Sequence, residues 1–358
     1  MQDEEAIVFI VDAHEDIAYN ALHHDRDIRQ PLAAIREGQT ARARARAAAS
    51  DPAAHMDETA MVALDAHRRG GVGLIFATIF VPPGDQETMT QDGLAQLAWY
   101  EEAAHEDPGI RLIRTRDELA GLRRDWEAAA TPESRPVGLL LLMEGADPLP
   151  TPAALQAYYD RGLRIVGTSW QGTRYGGGTH APGPLTALGG ELLDEMARLG
   201  MILDVSHMAA ETFWQALDRF PGTVFASHSN CRAYTPTDRH LSDEMIQALA
   251  ARDAVIGTVL ANSFLDGDWK HGDALPTLDA VVRHIDHIRE LTGTTAHSAI
   301  GSDLDGGFGV ESTPAELDSV GDLPRIADAL AAHGYARAEI EGIMGGNWLR
   351  LLERALPA

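Results

Sequence analysis

The sequence predicts an α/β fold, a (β/α)8 barrel. Three observations carry this. Eight short apolar, β-branched segments are each followed by polar or glycine-rich turns. Helical periodicity fills most of the intervals between them. The strand segments are near-continuously apolar, as a parallel sheet buried on both faces requires.

Taken in order, the first strand is "AIVFIVDAH", ending at His14, and the second is "VGLIFATIF", ending near Phe80. The third, "PVGLLLLMEG", has Glu144 at its end, and the fourth, "LRIVGTSW", ends at Trp170. "MILDVSH" and "TVFASH" are the fifth and sixth, ending at His207 and His228. "AVIGTVLAN" is the seventh, and "HSAIGSDLDG" the eighth, with Asp303 at its end. Among the helices, "TPAALQAYYDRG" has a threonine at its start, a proline in its first turn and a glycine stop. "TALGGELLDEMARLG" precedes the fifth strand and "TLDAVVRHIDHIRELTG" the eighth, both stopping on glycine. The segment from Asn20 to about Pro52 is too long for a simple connection and is expected to form excursions over the barrel mouth. Within it, "ARARARAAA", Ala41 to Ala49, reads as a surface helix.

The 358 residues are expected to form one barrel domain, 1–358, a length common for this architecture. No apolar run reaches the ~18 residues of a membrane span. The start "MQDEEAIVFI" is acidic where a signal peptide would be basic, so a cytoplasmic location is expected. The net charge of −25 argues against nucleic acid and anionic membranes as partners. With one cysteine, Cys231, neither an intrachain disulfide nor a cysteine zinc cluster can form. The one lysine, Lys270, excludes chemistry that needs a lysine on a barrel strand, whether a Schiff base or a carbamylated bridge.

In a barrel the C-terminal strand ends converge on one pocket. Here they carry His14 and Asp16, Glu144, His207, His228 and Asp303. Any one of the 15 histidines alone is most often a satisfied polar residue, so the information lies in the coincidence on one rim. Imidazole and carboxylate ligands suit zinc. Two ions about 3.5 Å apart need a bridge, and Glu144, at the end of "GLLLLM", is placed to supply it with two oxygens.

These residues lie in motifs that resemble the renal-type (membrane) dipeptidases of the amidohydrolase superfamily. The matching stretches are "VDAHED", "LLLMEGADPL", "PGPLTALGGELLDEMARLGMILDVSH", "FASHSN", "RHLSD", "HIDHIRELTG", "IGSDLDG" and "IMGGNWLRLL", in family order from Asp12 to Leu352. The resemblance implies a metallo-dipeptidase with two Zn2+ ions per subunit. His14 and Asp16 would bind the first ion, His207 and His228 the second, and Glu144 would bridge them. Arg239 would grip the substrate's terminal carboxylate, and Asp303 would be the acid/base residue. Asp305 has a second reading, shaping its loop with Gly306 and Gly307. The resemblance further implies a hydroxide between the ions as nucleophile, small dipeptide substrates including those with a C-terminal D-residue, and frequent homodimers. The alternative is another binuclear amidohydrolase acting on N-acyl amino acids, lactones or β-lactams.

One departure stands out. Where better-known members end the fourth strand with an oxyanion-binding histidine, this chain has Trp170. Indole has one N–H donor and no acid/base capacity. Either the ions alone polarise the carbonyl, or Arg174 or Tyr175 assists. Trp170, Arg174 and Tyr175 are all expected to line the substrate pocket.

Overall fold

The computed structural model describes residues 8–48 and 58–358. All eight expected strands form, with one short addition. They are β1 (Ile10–Glu15), β2 (Val72–Phe80), β3 (Ile110–Leu112), β4 (Val137–Glu144), β5 (Leu163–Gly167), β6 (Ile202–Asp204), β7 (Val224–Phe225), β8 (Ile256–Thr258) and β9 (Ser298–Ile300). Parallel ladders run in the order β1-β2-β4-β5-β6-β7 and between β8 and β9, with β3 pairing the start of β4. A single parallel bridge, Ala226 to Ile256, links β7 to β8. At the last seam the Asp303 N–H donates to the His14 carbonyl at 3.1 Å. The result is a (β/α)8-like barrel. The unforeseen strand is β3, three residues between two helices with Arg111 at its centre, too short and too polar at its middle to show periodicity.

Side-chain alternation divides the core in two. Val11, Leu74, Phe76, Leu140, Leu142, Ile165, Ile202, Phe225 and Ala299 fill the interior with Trp348 of the last helix, Asn347–Ala355. The rings of Phe76, Phe225 and Trp348 meet at 5.1–5.6 Å between centroids. The Trp348 indole also donates to the Ile300 carbonyl at 2.9 Å, pinning that helix to β9. The other parity, including Ile75, Leu139, Leu141, Met143, Val166 and Leu203, packs outward against the helices. Because the side-chain period is two, the parity of Leu140 and Leu142 carries Glu144 inward at the mouth.

The expected helices are present over Leu155–Asp160, Ala187–Leu199 and Asp279–Thr292. Thr186 caps the second of these by accepting from Gly189 N–H, and Gly200 ends it in the left-handed conformation. After β1 the chain forms two helices, Ile17–His24 and Leu32–Ala48. The second contains most of "ARARARAAA", exposed or half-buried where described, while Ala49 to Pro52 lie outside the described residues. Among the described residues no helix is long and apolar enough to cross a membrane.

Candidate metal centre

Six strand-end residues meet at the barrel mouth: His14, Asp16, Glu144, His207, His228 and Asp303. All are buried. β1 delivers two of them through an irregularity in its pairing with β2 between Asp12 and Glu15. Such a bulge re-aims side chains at a barrel rim. His14 and Asp16 turn to the mouth, whereas Glu15 points outward and pairs with His67 at 2.8 Å. Glu144 ends β4 in register with Phe80, and Gly145, at φ +73°, turns the chain immediately after it. A side chain at Gly145 would press on the backbone N of Trp170. His207 and Asp303 follow β6 and β9 with φ of 65° and 60°. Left-handed backbone at a non-glycine residue is strained and gathers at functional sites.

The geometry centres on Glu144. Its Oε1 lies 3.0 Å from His207 Nε2 and 3.1 Å from His228 Nε2, and its Oε2 lies 3.4 Å from His14 Nε2. His14 Nε2 is 3.8 Å from both Asp16 Oδ1 and Asp303 Oδ1. The His207 and His228 Nε2 atoms face each other at 3.0 Å, and the rings of His14 and His228 stack at 3.6 Å. Among the described residues, three groups could each hold a cation, with donor atoms within 4.8 Å: His14–Asp16–Glu144, Glu144–His207–His228 and His14–His228–Asp303.

The protein alone leaves these groups poorly satisfied. Burial, reinforced by Asp204 and opposed by Arg239, pushes the Glu144 carboxyl up to about 8. Burial and Glu144 push Asp16 to about 6, and burial drives Asp303 well above its usual range. His207 and His228 go well below theirs, first by burial and then by neighbouring cationic groups. Among the described residues, neither ring nitrogen of fully buried His14 has a hydrogen-bond partner. Buried carboxylates with neutral imidazoles aimed at one another form an unfavourable set that a divalent cation resolves. The residues present therefore fit a metal centre.

Supporting partners orient the rings. His207 Nδ1 lies 3.0 Å from Thr179 Oγ1, and His228 Nδ1 lies 2.7 Å from Ser227 Oγ, so both Nε2 atoms point to Glu144. Thr78 donates to Asp16 Oδ1. Sequence reasoning missed Thr179, Ser227 and Thr78, because small hydroxyl residues carry no spacing signal. Only the "SH" of "FASHSN" placed one of them beside a candidate ligand.

Arg239 is buried beside the cluster, over the ring of Phe264 at 5.2 Å. Its Nη2 donates to the His228 carbonyl at 2.8 Å and its Nη1 to Ser229 Oγ at 3.4 Å. Among the described residues its Nε has no partner. Half-buried Trp170 forms a wall next to His207, 6.2 Å between ring centroids, and meets Phe80 at 5.0 Å, which in turn meets Tyr19 at 5.1 Å.

Two expected pocket residues are not brought to the cluster. Tyr175 is fully buried in the core with its hydroxyl donating to the Leu149 carbonyl at 2.7 Å, so it packs rather than lines. Arg174 is exposed, its guanidinium spent on the Pro150 carbonyl and on Gln86. Asp305 takes its loop-shaping role. Its carboxylate accepts from the Met61 and Val62 N–H groups at 2.9 and 3.1 Å and lies 3.5 Å from Arg26. It thereby ties the segment after the β1 excursion to the β9 loop.

Comparison with known proteins agrees with this picture. The model of the membrane dipeptidases, peptidase family M19, matches residues 5–356. An uncharacterised protein of Klebsiella pneumoniae, encoded in the region 5′ of pqqA, is 35% identical over 208 residues, 56% of this chain and 74% of that one. A crystal structure of an M19 metallopeptidase, described as a dipeptidase, is 25% identical, with a TM-score of 0.79 over 98% of this chain and 100% of that one. A metallopeptidase from Rhodobacter sphaeroides, solved with a phosphinate mimic of the dipeptide L-Ala-D-Ala, is also 25% identical, with a TM-score of 0.76 over 98% and 99% of the two chains. With a family match over nearly its whole length and a buried His/Asp/Glu centre at the mouth of the barrel, the chain belongs to the membrane dipeptidase family M19 and is an enzyme of the metallo-dipeptidase class.

Proposed function

We propose that this enzyme hydrolyses dipeptides with a free C-terminal carboxylate, including those ending in a D-residue, and that it uses two zinc ions. The observation that carries the reading is the division of Glu144. One oxygen faces His207 and His228, and the other faces His14. A carboxylate so placed could bridge two cation sites, and nitrogen and carboxylate donors are a set that suits zinc. When bound, the ions would supply the Lewis acidity that activates water near neutral pH and polarises the scissile carbonyl.

The chain's own residues do the rest. Asp303, left-handed and buried at the rim, accepts the proton of the attacking water and passes it to the leaving amine. Arg239 presents a planar cation at a fixed place beside the cluster, suited to a terminal carboxylate. That fixed anchor limits substrate length. Trp170, with Phe80, forms an apolar wall and offers at most one donor. The D-residue assignment draws support from the ligand held by the R. sphaeroides relative.

The test is hydrolysis of L-Ala-D-Ala, L-Ala-L-Ala and L-Ala-D-alaninamide by protein stripped with a chelator and reloaded with zinc. The expected result is no turnover when stripped, recovery at about two equivalents, and strong preference for the free acids. Full activity after stripping, or recovery complete at one equivalent, would overturn the two-ion reading.

A further inference from the structure

Asp12 and Asp204 hold no ion in the reading above, yet both are buried on strands that carry it, Asp12 within β1 and Asp204 at the end of β6. Asp204 ends β6. Its Oδ1 accepts from the backbone N–H groups of Ser206 at 2.9 Å and Ser227 at 3.0 Å, and its Oδ2 from the Ser227 hydroxyl. Asp12, on β1, repeats the arrangement. Its Oδ1 accepts from the Ser302 N–H at 2.7 Å and its Oδ2 from the Ser302 hydroxyl. Each serine lies just past the end of the strand adjacent to the aspartate's own, β7 or β9, and each is followed at once by a cluster residue, His228 or Asp303. Each aspartate is in turn followed within three residues by a cluster histidine, His14 or His207.

We propose that Asp204–Ser227 and Asp12–Ser302 are paired clasps that position the metal centre, and that the first also sets the tautomer of His228. The registration role follows from where the ladders stop. β7 is two residues long, and β9 meets β1 through one backbone bond at the mouth. Beyond the ladders, Ser227–His228 is held against the end of β6 by the Asp204 clasp together with the Ser206 hydroxyl, which accepts from the His228 N–H at 3.2 Å. Ser302–Asp303 is held against β1 by the Asp12 clasp beside that one backbone bond. The tautomer follows from counting hydrogens. A serine hydroxyl has one, and here it goes to Asp204. Ser227 Oγ, 2.7 Å from His228 Nδ1, must then receive the ring's hydrogen. Nε2 keeps its lone pair, aimed at the shared space beside Glu144. Outer partners of this kind typically change ion affinity by roughly 10–100-fold when removed.

The inference rests on the two-ion reading only for its ion-release arm. The first readout is long-range 1H–15N NMR of 15N-histidine-labelled, metal-free protein, with His228→Gln to assign the resonance. The wild type is expected to carry the Nδ1–H tautomer at His228, Ser227→Ala to lose it and Ser227→Thr to keep it. The second is release of zinc to a chelator. Ser227→Ala and Ser302→Ala should each release about tenfold or more faster, Ser227→Thr near the wild-type rate, with Ser302→Ala leaving the His228 tautomer unchanged. A wild-type Nε2–H tautomer overturns the proposal without any variant, as does unchanged release from both alanine variants. A wild type that takes up no divalent ion would sink the proposed function instead, and the tautomer comparison would then decide the clasp by itself.

Discussion

Glu144 is the residue on which the centre turns, because its two oxygens serve different neighbours. Glu144→Gln keeps the shape but replaces one acceptor oxygen by a donor NH2. Ion occupancy and activity should therefore fall together, by more than the roughly 10–100-fold typical of losing an outer partner. Metal analysis beside turnover checks this, and near-normal values of both would remove the bridge. Arg239→Ala should cost dipeptides with a free carboxylate roughly 100-fold in kcat/KM, the scale of a lost charge-assisted hydrogen bond. Amidated substrates should change little, and equal losses on both would count against an anchor. The six cluster residues were legible because each closes an apolar run, and a barrel gathers such ends. Arg174 and Tyr175 were not. They lie in the irregular stretch after β5, where no period says which way a side chain points, and the core took Tyr175 while solvent took Arg174.

At the scale of elements, the eight strands were readable from their apolar runs, but their ends were not. "MILDVSH" reads as a strand to His207, whereas β6 stops at Asp204. The reason is local: the Asp204 side chain captures the Ser206 N–H, so the backbone leaves the ladder. The same replacement of ladder by clasp shortens β7 and β9. It leaves little room between β7, β8 and β9. A methyl group placed on Gly301 would run into the Ser227 carbonyl and press on His228 Cα. Gly301→Ala should therefore cost about 1–3 kcal/mol by overpacking and also disturb the metal centre. Chemical denaturation with zinc titration tests it, and wild-type stability with wild-type affinity would show the barrel has slack there.

The whole molecule registers the centre as a pH- and metal-dependent stability. In the metal-free protein the Glu144 carboxyl is raised to about 8, so between its ordinary value and pH 8 the folded state binds a proton that the unfolded state has lost. Stability from this group is full below the ordinary value and declines as pH rises. His207 and His228, with lowered values, act oppositely, adding stability as pH rises towards their ordinary value of about 6.5. Above that their contribution is complete, and the decline from Glu144 is joined by those of other raised carboxyls, Asp303 first among them at the centre. Glu144 by itself should cost the stripped protein on the order of 1–2 kcal/mol between pH 6.5 and 8. Zinc should abolish the decline and raise Tm, since ions bind only the folded arrangement. Thermal melts at several pH values with and without chelator measure both. A stripped protein whose Tm rises steadily to pH 8 would contradict the electrostatic account.

The sequence by itself determined the barrel, the order of its strands and which chemically able residues stand at their ends. Those depend on period and on chain order, and both are local properties. Tertiary structure alone decided how the ends are aimed: the irregularity in β1 that turns His14 and Asp16 inward, the left-handed backbone at His207 and Asp303, and the two aspartate–serine clasps. It also decided that Tyr175 packs while Trp170 lines the mouth. The physical reason is that orientation at a rim is set largely by contacts between strands apart in the chain, such as Asp12 with Ser302, Asp204 with Ser227 and Thr179 with His207, and no short window of sequence contains both partners.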